Sequence, residues 1–88
     1  MNTRNFKEIV EAAKTVIQYR NRYLNYTNGC YKCTVARTYR SQWRRAMNDF
    51  MELIYDYQDN TNTRLPKDPD YYVNLRPITI KGTTYYAE

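Results

Sequence analysis

The stretch from Thr34 to Gln58, TVARTYRSQWRRAMNDFMELIYDYQ, decides the fold of this chain. Its apolar and aromatic side chains recur every three or four residues, at Ala36, Tyr39, Trp43, Ala46, Met47, Phe50, Leu53, Ile54 and Tyr57. This spacing follows the 3.6-residue repeat of a helix, whereas a half-buried strand would alternate at every second residue. The stretch therefore predicts one long amphipathic helix over residues 34–58, with an apolar side that needs a partner to cover it.

A second amphipathic pattern precedes it and predicts a helix over residues 5–27. The repeating positions are Phe6, Ile9, Val10, Ala13, Val16, Ile17, Arg20, Tyr23 and Leu24. Asn5, with Glu8 three residues later, is a candidate N-cap, and Asn28-Gly29 is a candidate helix stop. The connection from Asn28 to Cys33 is short, and short connections favour antiparallel neighbouring helices.

The remaining third of the chain predicts a loop followed by extended structure. Residues 60–70 are rich in Asn, Thr and Pro and predict a loop. Residues 71–88 predict an extended segment and a β-hairpin that turns at Lys81-Gly82. We therefore expect a single α+β domain over residues 1–88, an antiparallel two-helix hairpin with a small C-terminal β-hairpin packed against it. An isolated hairpin is only marginally stable in water, so this packing is needed.

The charges are unevenly distributed along the chain. The net charge is +5, yet no Asp or Glu occurs from Ala12 to Asn48. That window holds eight cations, Lys14, Arg20, Arg22, Lys32, Arg37, Arg40, Arg44 and Arg45. After Asn48 the balance reverses, and Asp49, Glu52, Asp56 and Asp59 form an acidic stripe that we interpret as a solvated face. A helical hairpin gathers the cations at its turn, in a region that we call the basic end, residues 19–45.

The basic end has the composition of a surface that binds polyanions. Three of its arginines, Arg37, Arg40 and Arg44, share one side of the second helix, whereas Arg45 lies elsewhere on it. Guanidinium groups bind phosphate with two parallel hydrogen bonds. Tyrosine and tryptophan in the same segment could stack on bases, although Tyr39 and Trp43 also fit the apolar side of the helix. Our candidate nucleic-acid or partner-binding residues are Arg20, Arg22, Lys32, Arg37, Arg40, Arg44, Arg45 and Tyr31.

Arg20 differs from the other cations because it lies within the apolar pattern of the first helix. A buried cation needs a partner, and no acid is near it in the sequence. Three outcomes remain open: an acid from the C-terminal segment folds back onto Arg20, Arg20 meets an external anion at an exposed end, or its stem lies over Tyr39 or Trp43. The candidate acids are Asp68, Asp70 and Glu88.

Two features bear on catalysis and metals. The chain has no histidine, which removes the usual general base and the commonest metal ligand, so we expect no enzymatic activity and no cofactor. Cys30 and Cys33 form a CxxC pair at the helical turn, but a structural zinc site needs four ligands. The pair could form half of a zinc site in a homodimer, a disulfide or redox pair, or two reduced thiols packed in a turn.

These observations favour a non-enzymatic basic protein that engages nucleic acid or a nucleoprotein in a regulatory or blocking role. The alternative is a protein–protein interaction module, such as a phage or mobile-element inhibitor of a host defence enzyme, similar in kind to an anti-CRISPR protein. Tyr and Arg dominate the energetics of such interfaces. The sequence shows no signal-peptide pattern and no membrane-spanning run, so we expect a cytoplasmic protein without a membrane partner.

Overall fold

The computed structural model describes residues 3–26 and 34–87. Helices α1 (Lys7–Tyr26) and α2 (Thr34–Thr61) pack against each other and are followed by a short helix, α3 (Pro69–Val73). Strands β1 (Thr3–Arg4), β2 (Arg76–Ile80) and β3 (Thr83–Ala87) form one antiparallel sheet. Ring contacts of Phe6 with Tyr57 and of Tyr26 with Tyr39 show that α1 and α2 run antiparallel. The predicted α+β class, with a helical hairpin and a C-terminal β-hairpin, is confirmed.

Helix α1 begins two residues later than predicted. The backbone N–H of Val10 donates to the carbonyl of Phe6 at 2.8 Å, so Phe6 holds the cap position that we predicted for Asn5. Phe6 is buried edge-to-face against the rings of Tyr57 and Tyr72, with ring centroids 5.1 and 5.8 Å away. Burial of this ring fixes how the chain enters the helix and outweighs the polar cap. The predicted stop at Asn28-Gly29 lies outside the described residues.

Helix α2 continues three residues beyond its predicted end at Gln58. It ends at Thr61 because the next residue, Asn62, has a positive φ of 53°, the left-handed conformation that Asn tolerates better than most residues. The Gln58 side-chain oxygen then accepts a hydrogen bond from the Leu65 backbone N–H at 2.8 Å. This bond turns the chain back along the hairpin, so that Leu65 is buried in the core.

Helix α3 corrects the expectation of a loop to residue 70 and extended structure from residue 71. Asp68 caps the helix, since its Oδ1 accepts from the Asp70 N–H at 3.0 Å, and Pro69 fills the first helical position. Proline suits that position because its fixed φ is already helical and the missing N–H is not needed. The ring of Tyr72 is fully buried, and its hydroxyl donates to the Pro66 carbonyl at 2.6 Å.

The β-hairpin forms as predicted, with β2 and β3 joined at Lys81 and Gly82. Both residues have positive φ, 51° and 82°, as a two-residue type I′ turn requires. The sequence did not predict β1, whose Thr3 and Arg4 pair with Ala87 and Tyr86. A two-residue strand is too short to produce a periodic signal. The sheet order is therefore β1-β3-β2, with β3 in the centre.

The core lies between the two helices and α3, away from the helical turn. Its largest fully buried side chains are Val10, Val16, Phe50, Ile54 and Tyr72. We call the part of the molecule around these residues the core end. The C-terminal segment thus packs onto α1 and α2, which is the arrangement that we predicted for the β-hairpin. Within residues 3–26 and 34–87, no helix is long and apolar enough to cross a membrane.

Candidate nucleic-acid interface

Helix α2 carries four arginines at the basic end, and all of them are exposed: Arg37, Arg40, Arg44 and Arg45. Because consecutive helical residues are about 100° apart, Arg37, Arg40 and Arg44 run along one side of the helix and Arg45 is turned away from Arg44. Arg37 and Arg45 nevertheless border one shallow depression on the outer surface of α2. Within the described residues, none of the four forms an ion pair with a carboxylate.

Arg22 adds a fifth exposed cation, from helix α1. Its guanidinium carbon lies 5.4 Å from the ring centre of Tyr19 and 5.9 Å from that of Tyr39. Contact with two tyrosine rings restricts the guanidinium, while its in-plane N–H groups keep the geometry that suits phosphate. The two helices thus hold a partly preorganised cation where they approach each other. Spacing brings Tyr19 next to Arg22 on α1, but it could not predict the contact with Tyr39, because that ring comes from α2.

Arg20 is paired inside the protein. Its Nη2 and Nη1 atoms donate to Asp70 Oδ1 and Oδ2 at 3.1 and 3.4 Å, with side-chain exposures of 31% for Arg20 and 49% for Asp70. Of the three outcomes that the sequence left open for Arg20, the structure shows the fold-back of an acid from the C-terminal segment. Of the other two candidate acids, Asp68 caps α3 and Glu88 lies outside the described residues. The pair ties α1 to α3, and Arg20 already has a carboxylate partner, unlike the exposed arginines.

The aromatic residues of the basic end hold the two helices together. Trp43 is half-buried, packs against the core and lies 5.6 Å from the ring of Tyr23. Tyr39 is half-buried and meets Tyr26 edge-to-face at 5.4 Å. Of the two possibilities left open by the sequence, packing on the apolar side fits both Tyr39 and Trp43. These rings are structural supports for the arginines around them.

A groove between α1 and α2 lies on a different side of α1 from the Arg20–Asp70 pair, because Tyr19 and Arg20 are consecutive in the helix. Its volume is about 420 Å³, and it is lined by Ala12, Thr15, Tyr19, Gln42, Arg45, Ala46 and Asp49. The side-chain oxygen of Gln42, Oε1, is buried, and no donor in the described part of the chain reaches it. A buried acceptor without a donor costs about 1–3 kcal/mol.

The groove was not among the sites predicted from the sequence. Gln42 is a polar residue beside the apolar side of α2, and small side chains stand near it, Ala46 one turn later and Ala12 on the facing helix. A polar residue next to small residues on facing helices is a weak sequence signal for an opening between them. It becomes informative only when the register of the two helices is known.

Four of the candidate residues cannot be placed in the site. They lie outside the described residues and are Tyr31, Lys32 and the CxxC cysteines, Cys30 and Cys33. The three alternatives for the cysteines, an intersubunit zinc site, a disulfide or redox pair and reduced thiols, therefore stay open. In residues 3–26 and 34–87, no group of three or more Asp, Glu or Cys residues is arranged to hold a metal ion. The acidic stripe, Asp49, Glu52, Asp56 and Asp59, is exposed along the second half of α2.

Comparison with known proteins finds no protein family, curated protein or solved structure that matches this chain. Its function is therefore inferred from the placement of its own residues. The most distinctive placement is that of the five exposed arginines at one end of the helical hairpin.

Proposed function

We propose that this chain is a non-enzymatic cytoplasmic protein that binds nucleic acid, alone or in a nucleoprotein, through its basic end in a regulatory or blocking role. One observation carries the proposal: five exposed arginines lie at that end, and no carboxylate of the described residues pairs with them. They are Arg22, Arg37, Arg40, Arg44 and Arg45. Ordinary solvated helix faces mix both signs of charge, whereas an uncompensated cluster attracts polyanions.

The opposite charge on the second half of α2 supports the proposal. Asp49, Glu52, Asp56 and Asp59 are exposed there, so one helix carries a positive and a negative half. A polyanion is attracted to the first half and repelled by the second, which orients the encounter. Phosphate contacts of this kind position a protein on nucleic acid but read no sequence, so we propose binding with little sequence preference.

The proposal is tested by measuring binding of a fluorescent single-stranded oligonucleotide across a salt series. The double variant Arg40→Glu/Arg44→Glu should weaken binding at every oligonucleotide sequence. Log K falls as log salt rises, and each phosphate contact to a single strand contributes about 0.7 to the steepness of that fall. Loss of two phosphate contacts should therefore make the fall shallower by about 1.4. Both residues are exposed, so folding should be retained and is checked by circular dichroism.

The matched control is Arg64→Glu/Arg76→Glu, which changes the net charge by the same amount at exposed positions outside the basic end. This control should weaken binding much less. Equal weakening by both double variants would show a general charge effect and would reject the basic end as the interface. No association of the unmodified protein with DNA or RNA at low salt would reject the proposed function itself.

A protein partner is the second candidate function, and a specific observation favours it. Three large apolar side chains at the basic end are about half exposed, Leu24 (54%), Tyr26 (43%) and Val35 (42%). Apolar and aromatic side chains beside arginines are typical of protein interfaces. Retention of a partner from nuclease-treated lysate, with loss of that partner on Val35→Asp, would favour this candidate over nucleic acid.

A further inference from the structure

The outward side of the first half of α2 carries small hydroxyl side chains. It is turned away from the core, because Ser41 lies about 180° around the helix axis from the fully buried Phe50. Three exposed residues follow this side, which we call the outer line: Thr34, Thr38 and Ser41. The Thr38 hydroxyl donates to the Thr34 carbonyl at 3.1 Å, so this side chain stays close to the helix. The outer line is therefore low, and a shallow depression of about 390 Å³ lies along it.

Exposed arginines stand on both sides of the outer line. The first arginine row lies about 40° to 100° to one side of Ser41 around the helix axis and consists of Arg37, Arg40 and Arg44. Arg45 lies about 40° to the other side of Ser41. Arg22 of α1 is also on that side, because the ring of Tyr19 beneath it lines the same interhelical groove as Arg45. Arg22 and Arg45 thus form a second arginine row.

Two rows of cations with a low neutral line between them match a double-stranded nucleic acid. The major groove of B-DNA is about 12 Å wide and is bordered by two phosphate backbones, one from each strand. A helix with its side chains is about 10–12 Å across, so it fits between these backbones. A single strand has one backbone and engages one arginine row at a time. The arrangement of the rows therefore favours a duplex over a single strand.

The acidic stripe limits how α2 can approach a duplex. Its exposed members Glu52, Asp56 and Asp59 continue the outer line, within about 60° of Ser41 around the helix axis. Phosphates placed beside these carboxylates would be repelled. Contact is therefore limited to residues 34–48, about 22 Å of helix, and the helix axis is tilted so that the acidic half points away from the duplex.

We infer that residues 34–48 of α2 enter the major groove of double-stranded DNA, with the two arginine rows against the phosphates of opposite strands and the outer line toward the base edges. This inference rests on the proposed function and deepens it, because it names duplex DNA as the nucleic acid and the major groove as the docking site. Serine and threonine hydroxyls contact more than one type of base, so sequence preference stays low. Duplex RNA lacks this site, since its major groove is deep and narrow.

The first experiment compares a DNA duplex with an RNA duplex of the same sequence, length and charge, at one salt concentration. The unmodified protein should bind the DNA duplex at least about tenfold more tightly, because the helix cannot enter the RNA major groove and loses phosphate contacts there. Dimethyl sulfate footprinting of the DNA complex should show protection of guanine N7, which lies in the major groove. Adenine N3, which lies in the minor groove, should stay reactive.

Two double variants test the two arginine rows separately on the DNA duplex. Arg40→Gln/Arg44→Gln removes two cations from the first row, and Arg22→Gln/Arg45→Gln removes the second row. Each double variant should make the fall of log K with log salt shallower by about 1.8, since each phosphate contact on B-DNA contributes about 0.9. All four positions are exposed, so folding should be retained and is checked by circular dichroism.

The matched control is Arg64→Gln/Arg76→Gln, at exposed positions outside the basic end, and it should leave the salt dependence nearly unchanged. A change confined to one of the two rows would overturn the inference, because it would show contact with a single backbone. Equal binding of DNA and RNA duplexes, or unprotected guanine N7, would also overturn it and leave the proposed function intact. No binding of any duplex or single strand would reject the proposed function itself.

Discussion

The core end and the basic end of the helical hairpin are built from the same two helices but differ in what holds them. At the core end, Phe50, Ile54 and Tyr72 are fully buried, and the rings of Phe50 and Tyr72 meet edge-to-face. At the basic end the large side chains are only half-buried, and arginines surround them. The first region excludes water, whereas the second keeps its charged groups in contact with it.

This difference indicates that stability and binding are separated along the long axis of the molecule. Apolar burial supplies most of the free energy of folding, so the core end should dominate stability. Uncompensated exposed cations contribute little to folding but attract anions, so the basic end should dominate binding. Substitutions at the two ends should therefore have different consequences, and this can be measured.

The largest effect should follow from Phe50→Ala at the core end. Removing a fully buried ring should lower the free energy of unfolding by about 3–5 kcal/mol, a large share of the stability of a domain this small. Val35→Ala, an apolar truncation at the exposed surface of the basic end, is the control and should change it by less than about 0.5 kcal/mol. Urea denaturation measures both variants, and comparable losses would contradict the proposed division.

An intermediate effect should appear at alkaline pH through Tyr72. Burial, together with the nearby Tyr71, raises the pKa of the Tyr72 hydroxyl to about 12. In the unfolded chain a tyrosine ionises near pH 10. Between these values the unfolded state releases a proton that the folded state keeps, so the stabilisation present below pH 10 should fall by about 1.4 kcal/mol per pH unit until about pH 12.

Tyr72→Phe tests this expectation by removing the ionisable group. It should lower stability by about 1 kcal/mol at pH 7, because the hydrogen bond to the Pro66 carbonyl is lost. It should also make the decline between pH 10 and 12 shallower. Tyr85→Phe, at a half-buried position of β3, is the control. An equally steep decline in Tyr72→Phe and the unmodified protein would show that other groups control alkaline unfolding.

The smallest effect should come from Asp70, which pairs with Arg20 at the boundary between the core end and the basic end. Asp70→Asn should lower stability by less than about 1 kcal/mol, since the pair is partly exposed to solvent. It should also release Arg20 for contact with phosphate and tighten binding of a single-stranded oligonucleotide. Its contribution to the salt slope should be at most about 0.7, the value for one phosphate contact.

Asp68→Asn is the matched control for that measurement. It changes the net charge equally, and asparagine caps a helix about as well as aspartate, so α3 should persist. Tighter binding with Asp70→Asn than with Asp68→Asn would assign the effect to the release of Arg20. Equal tightening would assign it to net charge and would show that Arg20 does not reach the ligand.

The helices and the β-hairpin were predictable because their signals are local and repeated. Spacing of apolar residues located α1 and α2, and Lys81-Gly82 located the turn of the hairpin. Helix α3 was missed although Asp68-Pro69 is a helix-start signal, because the Pro-rich composition around it suggested a loop. Strand β1 was missed because it exists only through pairing with β3, at the far end of the chain.

The candidate site was predictable in its charges but not in its contacts. The acid-free window identified the arginines, and the position of Arg20 within an apolar pattern suggested an internal acid. Selection of Asp70 required knowledge of α3, which turns Asp68 toward the backbone and leaves the next acid free to reach Arg20. The groove depends on the register of two helices, which no single amphipathic pattern specifies.

The pairing of Thr3 with Ala87 brings the first and last described residues side by side at the base of the hairpin. Helix α1 rises away from this point over twenty residues, about 30 Å at 1.5 Å per residue. A fluorophore or surface tether attached near either of these residues would therefore sit well away from the five exposed arginines of the basic end. Immobilised through the sheet, the molecule would point its cationic helix ends outward, an orientation suited to single-molecule measurements of what they capture.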